Sequence, residues 1–127
     1  MVQLGIEAEH ALAANRLIEA GALYVRIVSA YPNSAPAWFR LGTIYLRTNQ
    51  LSAAQMAFEQ SLRADPTLSK AHANLALAHL HQFRYAATRA LSSPQVADAN
   101  KAALRTLLVD VDHVLAPSPA FVPASSR

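Results

Sequence analysis

Residues 35–66, APAWFRLGTIYLRTNQLSAAQMAFEQSLRADP, decide how the rest of the chain is read. They hold two apolar-periodic segments of helical length, parted near Thr48-Asn49-Gln50 and closed by Pro66. In the first, Trp38, Leu41, Gly42 and Tyr45 recur at spacings that place all four on one face of a 3.6-residue helix. In the second, Ala54, Phe58 and Ser61 share a face in the same way. Large and small residues alternate across the two faces, as antiparallel helices in close contact require. Gly42 leaves space where a side chain would hold the partner away. The spacing therefore predicts a helical hairpin whose rings, Trp38, Tyr45 and Phe58, are core residues rather than an exposed aromatic recognition site.

This order of residues resembles the tetratricopeptide repeat, a 34-residue unit with Trp, Leu, Gly and Tyr on its first helix, Ala and Phe on its second, and a closing Pro. Stepping back 34 residues extends the pattern: Leu12 matches Leu46, Asn15 matches Asn49, Leu17 matches Leu51, Ala20 matches Ala54, Tyr24 matches Phe58 and Pro32 matches Pro66. Residues 1–34 are thus a degenerate first repeat, with Leu4, Glu7 and Ala11 where residues 35–68 have Trp38, Leu41 and Tyr45. Its first helix is expected to be the least secure, because Glu7 is costly to bury unpaired. Stepping forward matches only half a unit, through Leu75, Ala76 and Leu80, and then fails at Thr88, Ser92 and Asn100. One extended helix over about 69–91 is favoured over a third hairpin, since no Gly, Pro or Asn interrupts the chain between Leu75 and Leu91.

From Gln95 on, Val96, Ala99, Ala103, Leu107, Val111 and Val114 or Leu115 recur every three or four residues. They predict an amphipathic closing helix, with Ser92-Ser93-Pro94 as its cap and first turn. Such a helix would cover the apolar end of a helical stack. The Pro/Ser-rich residues 117–127 carry no periodicity and are expected to be a flexible tail. The expectation is an all-α fold, a TPR-like right-handed superhelix of antiparallel helix pairs over 1–116: repeat one at 1–34, repeat two at 35–68, and a partial repeat with a long C-terminal capping helix at 69–116.

Composition narrows the function classes. A net charge of +3, from basic residues scattered singly, does not suit a nucleic-acid surface. No apolar run reaches the roughly 18 residues of a membrane span, and Glu7 and Glu9 stand where a signal peptide would be basic or apolar. A soluble protein, cytoplasmic or periplasmic, is expected. Lack of cysteine removes disulfides and thiolate metal sites. His72 and His79 are seven apart, about 10 Å along a helix, too far to share one ion. They also occupy the positions of Trp38 and Tyr45, so packed, hydrogen-bonded histidines are expected and no metal or other cofactor is. No nucleophile stands beside a base, no glycine-rich phosphate loop is present, and Asp110 and Asp112 diverge on a helix, so an enzyme is not expected.

The resemblance implies a protein-binding scaffold whose first helices line a concave groove. By position in the repeat, the groove residues would be Phe39, Arg40, Thr43, Leu46 and Arg47, followed by Lys70, Ala73, Asn74, Leu77 and His81. Apolar patches with Arg40, Arg47 and Lys70 at the rim would suit a peptide or helical segment that is apolar or amphipathic with some acidic character. The competing reading makes Arg40 and Arg47 solvated charges and Leu46 and Leu77 packing residues. The carboxylate clamp of the family's co-chaperone members is not matched: its positions hold Gly5, Glu9, Thr43, Lys70 and Asn74, of which Lys70 alone fits and Glu9 would repel a carboxylate. An adaptor in bacterial secretion or envelope assembly is the setting favoured by the Arg- and Ala-rich composition and by the family's habits. A self-associating structural module is the alternative.

Overall fold

Three-residue turns at 14–16 and 48–50 are what make helical hairpins of this chain, and they close identically. In the computed structural model, which describes residues 2–115, α1 (Val2–Ala13) and α3 (Ala35–Arg47) each run into an asparagine with φ of 61°, Asn15 and Asn49. The next amide then reaches back five residues: Arg16 N–H donates to the Ala11 carbonyl at 2.8 Å, and Gln50 N–H to the Tyr45 carbonyl at 2.8 Å. Both ends are Schellman closures with asparagine in the left-handed position, which of the L residues asparagine tolerates best. Asn49→Ala is accordingly expected to lower stability by about 1 kcal/mol, whereas Asn49→Gly should be close to neutral. Urea midpoints of the two variants check this.

After these turns the chain returns as α2 (Leu17–Ala30) and α4 (Leu51–Ala64). Ser34 starts α3 by accepting from the Ala37 amide at 3.3 Å, with Pro36 in the first turn, where its missing N–H costs nothing. The matched prolines close the repeats in parallel fashion. Trp38 Nε1 donates to the Pro32 carbonyl at 2.7 Å, and His72 Nε2 stands 3.0 Å from the Pro66 carbonyl oxygen. One ring nitrogen, six residues after each proline, ties each inter-repeat loop to the helix that follows it.

The chain falls into two compact units, the first ending at His79 and the second starting at Leu80, with α5 (Ser69–Leu91) contributing to both. Within the first unit, one core cluster joins Ala8, Ala11, Ala20, Tyr24, Val28, Ala37, Leu41 and Ile44, with Trp38 and Tyr45 partly buried against it. Another joins Phe39, Ala54, Phe58 and Ala71. Phe58 is fully buried and lies on Gly42, where even a Cβ would come within 2.7 Å of the ring. Buried Ser61 donates to the Ala35 carbonyl at 2.8 Å, tying α4 to the start of α3. In the first repeat Ala8 and Ala11 are buried as their positions require, but Glu7 is exposed, so α1 forms without burying that charge.

The second unit corrects the reading of the closing helix. Helix α6 runs Asp98–Leu115 and so begins after, not at, Gln95. Ser93 is used in a turn instead of a cap: its Oγ donates to Gln95 Oε1 at 3.0 Å and accepts from the Gln95 amide at 3.3 Å. The buried face agrees with the expected stripe at Val111 and Leu115 and departs from it at Ala99, Ala103 and Leu107, which are exposed. Val111 is buried and Leu104, Leu108 and Leu115 are half-buried, while Leu107 and Val114 are exposed. Several interleaved stripes on α6 are apolar, so spacing alone does not choose between them. The Arg84–Asp112 pair, 3.8 Å apart, stands on the flank of the face that is buried. The tail expected at 117–127 lies outside the described residues. Among the described residues there are only helices, and none is long and apolar enough to cross a membrane.

Candidate partner-binding groove

Helices α1 and α3 are the first helices of their repeats, and both line a groove of about 520 Å³. Val2, Gly5, Ile6 and Glu9, at spacings of three, one and three, share a face of α1 and form one wall; Pro36, Ala37 and Arg40 form the other, and Tyr24 and Ile27 of α2 also line the groove. Val2 and Ile6 are exposed. A Cβ on Gly5 would meet nothing within 4 Å, so the groove is open to solvent there as well.

One end of the groove is polar. Tyr24 takes the place that Phe58 has in the following repeat, and a phenol there needs an acceptor for its hydroxyl. Glu9 provides it: the Tyr24 hydroxyl donates to Glu9 Oε1, and Arg40 Nε lies 3.3 Å from the same carboxylate oxygen. Burial, reinforced by the hydrogen bond to Glu9 and by that carboxylate's charge, pushes the Tyr24 phenol far above its ordinary range, so it remains a donor. The Glu9 and Arg40 side chains are both about half exposed, and a pair so wetted contributes little to stability. It balances the charge of the groove's end and leaves acceptor and donor sites facing outward. Chemically the groove offers an apolar wall next to a neutral, hydrogen-bonding end.

The residues singled out by sequence position are distributed more widely than that groove. Arg40 lines it. Phe39 does not: it belongs to the core, its ring centroid 6.0 Å from that of Phe58, and Lys70 Nζ lies 4.7 Å above its outer face. Thr43 donates to the Phe39 carbonyl at 3.0 Å and accepts from Asn74 Nδ2 at 3.4 Å, which joins α3 to the first half of α5. Leu46 packs partly buried against the Phe58 cluster. Arg47 is exposed and donates through Nη2 to Asn15 Oδ1 at 2.5 Å, so it reaches across to the first hairpin's turn. Lys70 and Leu77 are exposed on the first half of α5. His81 belongs to the second unit. It sits 3.2 Å from Arg84 Nη2, and burial followed by the arginine's charge pulls its imidazole below the usual range.

Sequence position thus named Arg40 but left out Val2, Ile6, Tyr24, Ile27, Pro36 and Ala37. A signal for the polar end was available: Glu9 and Arg40 are opposite charges at neighbouring groove positions of successive repeats. Among the described residues no three His, Asp or Glu side chains are placed to hold a metal ion. Residues 35–68 match the family model described as tetratricopeptide repeat. No curated protein matches the chain.

Proposed function

We propose that this chain, whose residues 35–68 match the tetratricopeptide-repeat family model, is an adaptor whose α1–α3 groove holds a segment of another protein. The family's general role is protein–protein interaction. The observation that carries the reading is the apolar wall whose exposed members are Val2, Ile6 and Pro36, beside a polar end that is already charge-balanced. An apolar anchor of the partner would gain by leaving water there, while Glu9 and Arg40 would hydrogen-bond its backbone or a neutral polar side chain. Acidic character in the partner would be met by Arg47 and Lys70 rather than by Arg40, whose charge Glu9 answers. The setting we infer, a bacterial secretion or assembly system, rests on composition and family habit.

The test is a peptide selected from a displayed random library on the purified protein, its affinity then read by fluorescence anisotropy. Ile6→Glu is expected to weaken the selected peptide at least about tenfold by placing a charge in the apolar wall. Met56→Glu, on exposed surface of α4, should leave it unchanged. Equal affinity for the parent and Ile6→Glu would place binding elsewhere.

A further inference from the structure

The solvent face of α2 carries apolar side chains that serve no part of the chain's own core. Ile18 is 89% exposed and Val25 41% exposed, with Ala22 exposed between them. They edge a second hollow, about 410 Å³ and largely apolar, to which Gly21 and, from α3, Ile44 and Tyr45 also contribute. Exposed Glu19 and Arg26 lie on the same helix face. At about 100° per residue, Ile18 and Val25 fall on one flank of Ala22, and Glu19 and Arg26 fall on the other.

That arrangement is self-complementary. When two copies of one helix pack antiparallel about a two-fold axis, each flank meets the same flank of its partner in reverse order. An axis at Ala22 brings Ile18 of each copy to Val25 of the other, and Glu19 of each to Arg26 of the other. The apolar pair is centred half a residue before Ala22 and the charged pair half a residue after, so one axis serves both to within about 0.8 Å of helix rise. Had both charges carried one sign, the same packing would repel. Ala22 at the crossing point, with Gly21 beside it, lets the backbones approach closely. Glu19 is paired with Arg16 at 3.1 Å in the single chain, both side chains more than half exposed, and so weak a surface pair yields readily to a partner's arginine.

We propose that the outer face of α2 is the seat of a second copy of this chain, packed antiparallel about Ala22 with reciprocal Glu19–Arg26 pairs. The proposal is independent of the α1–α3 groove, since none of these residues lines it. Sedimentation of the full chain over a concentration series tests it, with circular dichroism as the control on folding. The parent is expected to dimerise. Ile18→Asp, Glu19→Arg and Arg26→Glu should each weaken the dimer at least about tenfold. The double exchange, Glu19→Arg with Arg26→Glu, should recover most of that loss, because it re-forms both pairs with their signs exchanged. An equimolar mixture of the two single reversals should form a heterodimer, and Ile6→Glu in the groove should leave dimerisation intact. A parent that stays monomeric up to roughly 1 mM overturns the proposal. So does association that the α2 variants leave unchanged, or a double exchange no better than its singles; in each case the groove reading would stand.

Discussion

Phe58→Ala is expected to lower unfolding free energy by about 3–5 kcal/mol, the largest effect of any single truncation in the first unit. Phe58 is fully buried, with Phe39, Ala54 and Ala71 in its cluster and Gly42 beneath its ring. Deleting the ring removes its transfer free energy and leaves a cavity bounded by helix backbone at Gly42, which can close only if α3 and α4 move together. Total stability of about 5–15 kcal/mol is usual for a domain, so the variant should retain helical circular dichroism with a much lower urea midpoint, or be unfolded outright. A loss below about 1 kcal/mol would mean that the ring is not where the α3–α4 hairpin is held.

Gly42→Ala gives the complementary case, in which adding one methyl is expected to cost about 1–3 kcal/mol although alanine is the better helix former by about 1 kcal/mol. The new Cβ would sit 2.7 Å from both Phe58 Cδ1 and Cε1 and 3.0 Å from Cζ. The obstructing group is a rigid, fully buried ring and cannot fold aside. Phe58→Leu should therefore cost less in the Gly42→Ala background than in the parent, and a double-mutant cycle read from urea melts would show this coupling directly. If Gly42→Ala stabilises the protein, helix propensity has won and the close contact is not a constraint.

These two residues were legible because a repeat writes its packing into local spacing. Trp38, Leu41, Gly42 and Tyr45, answered by Ala54, Phe58 and Ser61, define two faces from positions three or four apart, and the all-helical hairpins follow from them. The same logic carried through the asparagine turns, since Asn15 and Asn49 hold equal positions and equal φ. It weakened where one spacing fits more than one stripe. In α6, Leu104, Leu107, Leu108, Val111 and Val114 offer several apolar rows, and burial falls on Leu104, Leu108, Val111 and Leu115. Position within the repeat also misplaced Phe39: it implies a groove residue, but the small side chains Ala54 and Ala71 leave room beside Phe58 for a second ring to turn inward. The polar end of the groove joins Glu9 to residues 15 and 31 positions further on; the repeat register puts the charges of Glu9 and Arg40 at neighbouring groove positions, but does not show that Tyr24 shares the same carboxylate.

Such pairing also bears on what the groove accepts. Rim arginines free to orient an acidic partner are what the sequence suggests, yet Arg40 is answered by Glu9 and Arg47 reaches Asn15. Reversing both charges would therefore disturb contacts within the protein as well as with a partner, and Ile6, which makes no polar contact, is the cleaner probe of binding.

The most direct measurement is an amide chemical-shift map of the ¹⁵N-labelled protein titrated with a peptide selected on it. Occupation of the α1–α3 groove predicts the largest shifts at Gly5, Ile6, Glu9, Ala37 and Arg40. Shifts concentrated on the outer faces of α2 and α4, with those five amides unmoved at saturation, would contradict it.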